Sequence, residues 1–231
     1  MIDRSLNYGR HIIENFAKRI HIYNSVLDIG AGSGDDLMVY KKINPAAELF
    51  AVECYKPNIE QLIKKGIKVY DFNIEKDALP LDNESIDIVN ANQILEHVKE
   101  IFWVFHNIAR VLKVGGYFVI GVPNLASLHN RILLMIGKQP TSIRNYSAHV
   151  RGFTKSDIIK FTKIWGGYKL IDFQGSNFYP FPPIVAKPLS KILPNMSVSI
   201  FFLFKKVCKY NDEFIRYIVE NPLETNFYGG E

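Results

Sequence analysis

Short runs of β-branched and other apolar residues alternate along the first half of the chain with stretches whose apolar positions recur every three to four residues. Ser25–Ile29, Leu49–Glu53, Lys68–Asp71, Ile86–Ala91 and Tyr117–Val122 have the length and continuity of buried strands. Between them, Asp36–Ile43, Pro57–Lys65 and Ile101–Leu112 carry the helical period. Pro57 suits the first turn of its helix, where a missing N–H costs little, and Gly66 suits that helix's end. Gly115–Gly116 closes the next helix and turns the chain into a strand. Apolar strands alternating with helices mean a parallel sheet covered on both faces, and right-handed crossovers make it a doubly wound α/β fold.

After Val122 the rhythm changes. Ala126–Ile136 reads as a helix leading into a polar loop, and Thr154 as the N-cap of a helix over Lys155–Trp165 that Gly166–Gly167 ends. Tyr168–Gln174 and Val198–Lys206 read as two more strands, with the proline-rich YPFPPIVAKP as a surface loop between them. A last helix over Asp212–Val219 precedes the tail ETNFYGGE. No internal repeat appears. The 231 residues suffice for one sizeable core, so a single domain over 1–231 is expected.

Composition changes little in this picture: 48% hydrophobic and 22% charged residues are ordinary for a soluble globular protein. The opening MIDRSLNYGRHII has no apolar core of a signal peptide, and the apolar run Ile200–Phe204 is far too short to span a bilayer. Cys54 and Cys208 stand far apart, which argues against a disulfide framework or a cysteine zinc site; a reducing cytoplasm fits best. Charge is more informative. Residues 1–123 hold 14 Lys+Arg against 16 Asp+Glu, whereas residues 124–231 hold 14 against 7, a net +7. The second half is either a solvated basic face or a substrate half that meets a phosphorylated sugar, a lipid diphosphate, nucleic acid or a membrane surface.

The first strand runs straight into Gly30-x-Gly32-x-Gly34 and a helix. Glycine lets the backbone turn tightly and lets a ligand approach. A nicotinamide-dinucleotide loop needs Gly-x-Gly-x-x-Gly, and the third position here is Asp35. Asp28, Asp35 and Asp36 crowd the helix end where a pyrophosphate would sit. At ~4 Å and an effective dielectric near 20, each like-charge contact costs on the order of 4 kcal/mol. S-adenosylmethionine (SAM), with no phosphate and a net positive charge, avoids that cost. Glu53, 19 residues after Gly34 at a strand's carboxyl end, suits the hydroxyls of a ribose, though a surface strand end is the plainer alternative.

VLDIGAGSGDD, the acidic strand end at Glu53, LPLDNESIDIVNANQILEHV and ARVLKVGGYFVIGVPN together resemble the successive motifs of class I SAM-dependent methyltransferases. The likeness is to the branch that includes quinone-biosynthesis O-methyltransferases and enzymes acting on glycans or lipids. It covers about residues 20–175 and is specific for fold and cofactor but not for substrate. It implies a Rossmann-like seven-stranded sheet of order 3-2-1-4-5-7-6, strand 7 antiparallel, with helices on both faces. Residues 1–123 would bind SAM, and residues 124–231 would form the substrate half, with a helical cap after strand 5. It implies that Asp28, Gly30 and Gly32 line the methionine part of SAM and that Glu53 binds the ribose. Asp71, with the backbone of Phe72, would meet the adenine, Asp77-Ala78 being a competing pair. Asn92 and Gln93 would lie beside the sulfonium.

Methyl transfer from a sulfonium is an in-line displacement in which alignment can be worth ~7–11 kcal/mol, and an oxygen nucleophile also needs a base. His97, after the fourth strand, and His149, in SAHVRGFT, are the candidates; either could instead be a structural histidine. Relatives with Glu-x-x-Glu-His after strand 4 bind a divalent metal, but Gln93 stands where the first Glu would be, so no metal is expected. No Asn-Pro-Pro-aromatic stretch or Pro-Cys nucleophile is present, so methylation of nucleic-acid bases is not expected. Phe178, Tyr179 and Phe181 read as a lid or packed loop rather than as a base-stacking platform. Residues 124–153 carry Arg131, Lys138, Arg144 and Arg151 and no acid, so the cap is expected to recognise an anionic acceptor through Arg144 or Arg151, with His149 beside the accepting hydroxyl. The rival readings are a SAM- or nucleoside-binding regulator without catalysis and an NAD-linked redox enzyme.

Overall fold

The computed structural model describes residues 3–221. A helix α1 (Arg10–Ile20) precedes the alternating run β1 (Ser25–Ile29), α2 (Asp35–Ile43), β2 (Glu48–Val52), α3 (Lys56–Lys64) and β3 (Lys68–Tyr70). Then come β4 (Ile86–Asn92), α4 (Ile101–Val111), β5 (Leu112–Pro123), α5 (Leu128–Met135) and α6 (Lys155–Thr162). β6 (Tyr168–Ser176), α7 (Pro183–Ile192), β7 (Ser199–Lys206) and α8 (Glu213–Glu220) complete the order. The seven strands lie in the order β3-β2-β1-β4-β5-β7-β6. The first five are parallel, and β7 runs antiparallel to both β5 and β6. The expected sheet is therefore the observed one.

The strands in the middle of the sheet are buried on both faces, as their unbroken apolar runs require; every residue of β1 is buried. β7 shows how one strand serves two layers. Ile200, Phe202 and Phe204 pack with Phe105, Phe118 and Phe214 on one side, and Phe201 and Leu203 pack with Phe16, Val26 and Tyr40 on the other. Lys206, at its end, is fully buried and donates to the carbonyls of Ala109 (2.8 Å) and Leu112 (2.6 Å), satisfying the open end of α4.

Three readings need correction. The strand-by-strand pattern starts at Ser25 and leaves out α1, whose Ile12, Ile13, Phe16, Ala17 and Ile20 are buried. The proline-rich segment is not all loop: residues 183–192 form α7, with Pro183 at its first turn, where no N–H is needed, and Pro188 tolerated inside. Helix α4 ends at Val111, before Gly115–Gly116, and Gly115 (φ 88°) turns the chain inside the first stretch of β5. Thr154 does cap α6, accepting from the Asp157 N–H. The tail ETNFYGGE lies outside the described residues. No helix among the described residues is long and apolar enough to cross a membrane.

Strands β1 to β5 end on one edge of the sheet. β7 enters there too, because Ser199 pairs with Pro123 and Ser176 pairs with Ser199. Residues 124–153 and 177–198 are thus two excursions from the same edge. The first is closed at its base by a bridge between Asn124 and Phe153. Buried Asn124 and Asn130 hold it: Asn124 Nδ2 donates to the carbonyls of Asn195 and Ser197 (both 2.9 Å), and Asn130 Nδ2 donates to Ser142 Oγ (3.0 Å).

Candidate active site

Leaving β1, the backbone takes positive φ at Gly30 (70°), Gly32 (54°) and Gly34 (83°). A Cβ at Gly30 would stand 2.7 Å from Ile94, whereas one at Gly32 would meet nothing within 4 Å. Gly30 is therefore demanded by packing, and Gly32 leaves open space in front of the loop. The Gly32 N–H donates to Glu53 Oε2 at 2.8 Å, and Glu53 Oε1 accepts from the N–H groups of Cys54 (3.0 Å) and Tyr55 (2.9 Å). The acid at the end of β2 is thereby fixed against the glycine loop. Its own N–H donates to the Tyr70 carbonyl at 3.2 Å, which sets Asp71 beside it. Asp71 is exposed and pairs with Lys56, Phe72 packs half-buried on the core, and Asp77 sits apart, its carbonyl facing Trp103 of α4. Asp71 is thus the candidate adenine-side acid on the edge that Glu53 occupies.

The acids of the loop are less bare than the sequence suggested. Asp28 is fully enclosed and accepts from Asn90 Nδ2 at 2.8 Å; burial first, and Asp36 next, push its pKa well above the carboxylate range. Burial also raises Asp36, against the pull of Asn92 (2.7 Å) and Arg10 (3.1 Å). Asp35 pairs with Arg10 (3.1 Å) and Lys65 (3.5 Å). Arg10 comes from the helix that the pattern left out. The repulsion expected for a pyrophosphate is correspondingly weaker, and the case against a dinucleotide rests on the missing third glycine.

At the end of β4, Asn92 and Gln93 part company. Asn92 donates to the Tyr8 carbonyl (2.9 Å) and to Asp36, tying the N-terminal turn Arg4–Tyr8 to the loop. Its buried Oδ1 has no partner, and neither has the buried Nε2 of Gln93. Gln93, held at φ 56°, lines a cavity of about 340 Å³ together with Arg4, Asn7, His129, Arg144, His149 and Tyr179. Open space before Gly32, a fixed carboxylate at Glu53 and two unpartnered polar atoms at the β4 end suit a small polar ligand such as SAM.

His97 and His149, far apart in sequence, meet edge to face with ring centroids 4.8 Å apart. His97 Nδ1 bonds the Ala148 carbonyl (3.1 Å) and His149 Nδ1 bonds the Ser142 carbonyl (2.8 Å). A carbonyl only accepts, so each Nδ1 carries a proton, which leaves Nε2 as the ring nitrogen available to accept one. Burial lowers the His97 pKa. Behind them lies Glu96, whose Oε2 has no partner and whose pKa burial pushes up to about 8. Glu96, His97 and His149 each bring one donor atom within 4.8 Å of the others. Gln93 offers no carboxylate to a metal, whereas these three donors form a set that could hold a zinc-type ion.

Arg144 lines the cavity, but Arg151 does not: its Nε donates to the Val98 carbonyl (2.9 Å) and its Nη2 to that of Lys99 (2.5 Å). Through these two bonds Arg151 joins the cap to the segment after β4. Arg4, Asn7 and His129 carried no signal in the sequence, and Tyr179 read only as part of a lid or packed loop, because nothing in their neighbourhoods predicts that the N-terminal turn and the 177–198 excursion would meet the cap. Asn7 Nδ2 donates to the Tyr179 hydroxyl (2.9 Å), and His129 Nε2 lies 2.6 Å from Thr141 Oγ1.

A doubly wound sheet with an antiparallel seventh strand, a glycine turn and an acid at the end of the neighbouring strand defines a Rossmann-like ligand-binding α/β domain. Residues 27–120 match the family model described as "Methyltransferase domain". That stretch, about two-fifths of the chain, is thus similar to the methyltransferase domain of that family. It is 26% identical over 141 residues to the ubiquinone biosynthesis O-methyltransferase of Pelagibacter ubique, covering 56% of this chain and 58% of that protein. It is 30% identical over 108 residues to an uncharacterized 37.1 kDa protein in transposon TN4556 of Streptomyces fradiae, covering 45% of this chain and 31% of that one. The chain thus spans between about a third and three-fifths of the length of these relatives. Among solved structures it is similar to a SAM-dependent methyltransferase of Thermotoga maritima, described as a possible histamine N-methyltransferase. The two share 18% identity and a TM-score of 0.59 over 87% of this chain and 90% of that one. That likeness speaks for the fold.

Proposed function

We propose that this chain transfers the methyl group of SAM to an oxygen of a small, glycan or lipid-linked acceptor that carries negative charge. The observation that carries the reading is a juxtaposition. The cavity beside Gln93 holds His149 with a basic Nε2 and two guanidinium-bearing residues, Arg4 and Arg144, next to the β4 end of the cofactor edge. Asp28, Gly30, Gly32, Glu53, Asp71, Phe72, Asn92 and Gln93 make up the cofactor side. SAM supplies an already activated methyl group, so the protein's work is orientation and removal of the acceptor's proton. His149 takes that proton, His97 holds the His149 ring, and Arg144 with Arg4 offers paired charge to the acceptor's anionic group. The O-methyltransferase named among the relatives is in keeping with an oxygen acceptor. The test is a screen with methyl-labelled SAM over anionic sugars and lipid-linked intermediates, with product mass as the readout. Turnover confined to uncharged amines would overturn the reading, and SAM binding without turnover across the panel would favour a non-catalytic regulator.

A further inference from the structure

Helix α5 is turned inside out. Its buried residue is polar, Asn130, with His129 beside it on the cavity side. Its outer surface carries Ile132 (51% exposed), Leu134 (56%) and Met135 (85%), and Ile136 (60%) follows. A surface helix of a folded domain normally buries its aliphatic stripe and shows its polar one to water. Leu134 and Met135 stand three and four residues after Arg131, on the same helical face. Arg131 in turn lines a groove of about 510 Å³ shared with α6, whose lining also holds Lys155, Lys160 and Lys163 and, among the described residues, no carboxylate. Residues 124–153 contain no acid at all. Aliphatic side chains standing in water next to a concave cluster of cations match a surface that is apolar beneath and anionic on top.

We propose that α5 and the adjoining groove form a docking surface for an anionic phospholipid bilayer, with Leu134, Met135 and Ile136 entering the acyl boundary and Arg131, Lys160 and Lys163 meeting phosphate headgroups. A polynucleotide would use the cations but gain nothing from exposed aliphatic tips, since stacking needs rings. The placement has a functional consequence. The inner face of α5 lines the acceptor cavity while its outer face lies on the bilayer, so an amphipathic acceptor could reach the cavity without leaving the membrane. The docking surface itself does not depend on methyl transfer.

The experiment is sedimentation of the whole chain with vesicles of phosphatidylcholine alone and of phosphatidylcholine with phosphatidylglycerol. Binding is expected only to the anionic vesicles and is released at high salt. Lys160→Glu with Lys163→Glu should abolish it, since each cation near an anionic surface strengthens binding roughly fivefold. Leu134→Ser with Met135→Ser should reduce it by about tenfold or more at unchanged melting temperature, because both side chains are exposed. No binding to anionic vesicles, equal binding to both kinds, or wild-type binding by the Leu134/Met135 variant would each overturn the proposal. Tight binding of single-stranded polynucleotide lost only in the lysine variant would also overturn it, in favour of a nucleic-acid groove.

Discussion

A carboxyl group enclosed like that of Glu96, with one oxygen unbonded, keeps its proton up to about pH 8 instead of releasing it near 4.5. The folded state then holds a proton that the unfolded chain has lost, so stability falls as pH rises from about 4.5 to about 8 and levels off above. The slope is at most ~1.4 kcal/mol per pH unit. Urea unfolding at several pH values should show this decline, and Glu96→Gln should flatten it. A cation held by Glu96, His97 and His149 would reverse the logic by stabilising the charged carboxylate. Activity is expected to survive dialysis against a chelator; a loss that a divalent ion restores would make the three residues a metal centre. His149→Ala should lower kcat by ~10²-fold if the ring is the base, with SAM affinity unchanged by calorimetry. Glu53→Ala should weaken SAM binding by about 1.5–3 kcal/mol, the range for hydrogen bonds to a charged group. Because Glu53 also anchors the N–H groups of Gly32, Cys54 and Tyr55, Glu53→Gln separates lost charge from lost support. If both variants bind SAM like the wild type, Glu53 is only a strand end.

At the scale of elements, the cap and the segment after β4 are joined by Arg151 and by the Glu96 carbonyl, which accepts from Val150 (2.8 Å) and Arg151 (3.2 Å). Arg144 and Arg151 should therefore fail differently. Arg144→Ala should raise the acceptor KM and leave the cap's resistance to limited proteolysis intact. Arg151→Ala should expose the cap to protease and raise KM as a consequence, with SAM affinity within about twofold for both. Equal proteolysis of the two variants would remove the clamp from Arg151. These elements also mark how far the sequence could be read. Strands buried on both faces announce themselves as continuous apolar runs, which is why the sheet was legible from Ser25 to Lys206. Glu53 was legible because its place depends only on a strand end. Helix α1 has an apolar stripe but opens at Gly9 with no side-chain cap, so it lacks a start signal. Helix α7 hides behind prolines that usually mean loop. The His97–His149 pair could not be read, because the two are brought together only by the path of the cap.

Taken whole, the molecule draws its cofactor edge from segments distant in sequence. Arg10 from α1 pairs with Asp35 and Asp36 after β1, Asn92 at the end of β4 holds the turn Arg4–Tyr8, and Asn177 after β6 donates to the Asp3 carbonyl (3.0 Å) and to Asn7 Oδ1 (2.8 Å). A ligand bound on that edge touches elements that unfolding would scatter, so its binding energy should appear in global stability and not only in a local loop. Binding to the folded state alone stabilises by RT ln(1 + [L]/Kd), about 2.7 kcal/mol at a hundredfold excess over Kd. For a domain of this size each kcal/mol moves Tm by roughly 2–4 °C. Saturating SAM, or its demethylated product, is thus expected to raise Tm by about 5–10 °C in a single transition. NAD at the same concentration should leave Tm unchanged, because the loop has Asp35 where a dinucleotide site needs its third glycine. A shift with NAD and none with SAM would return the chain to the redox reading. A SAM shift confined to one of two separate transitions would show that the two halves of the chain do not fold as one unit.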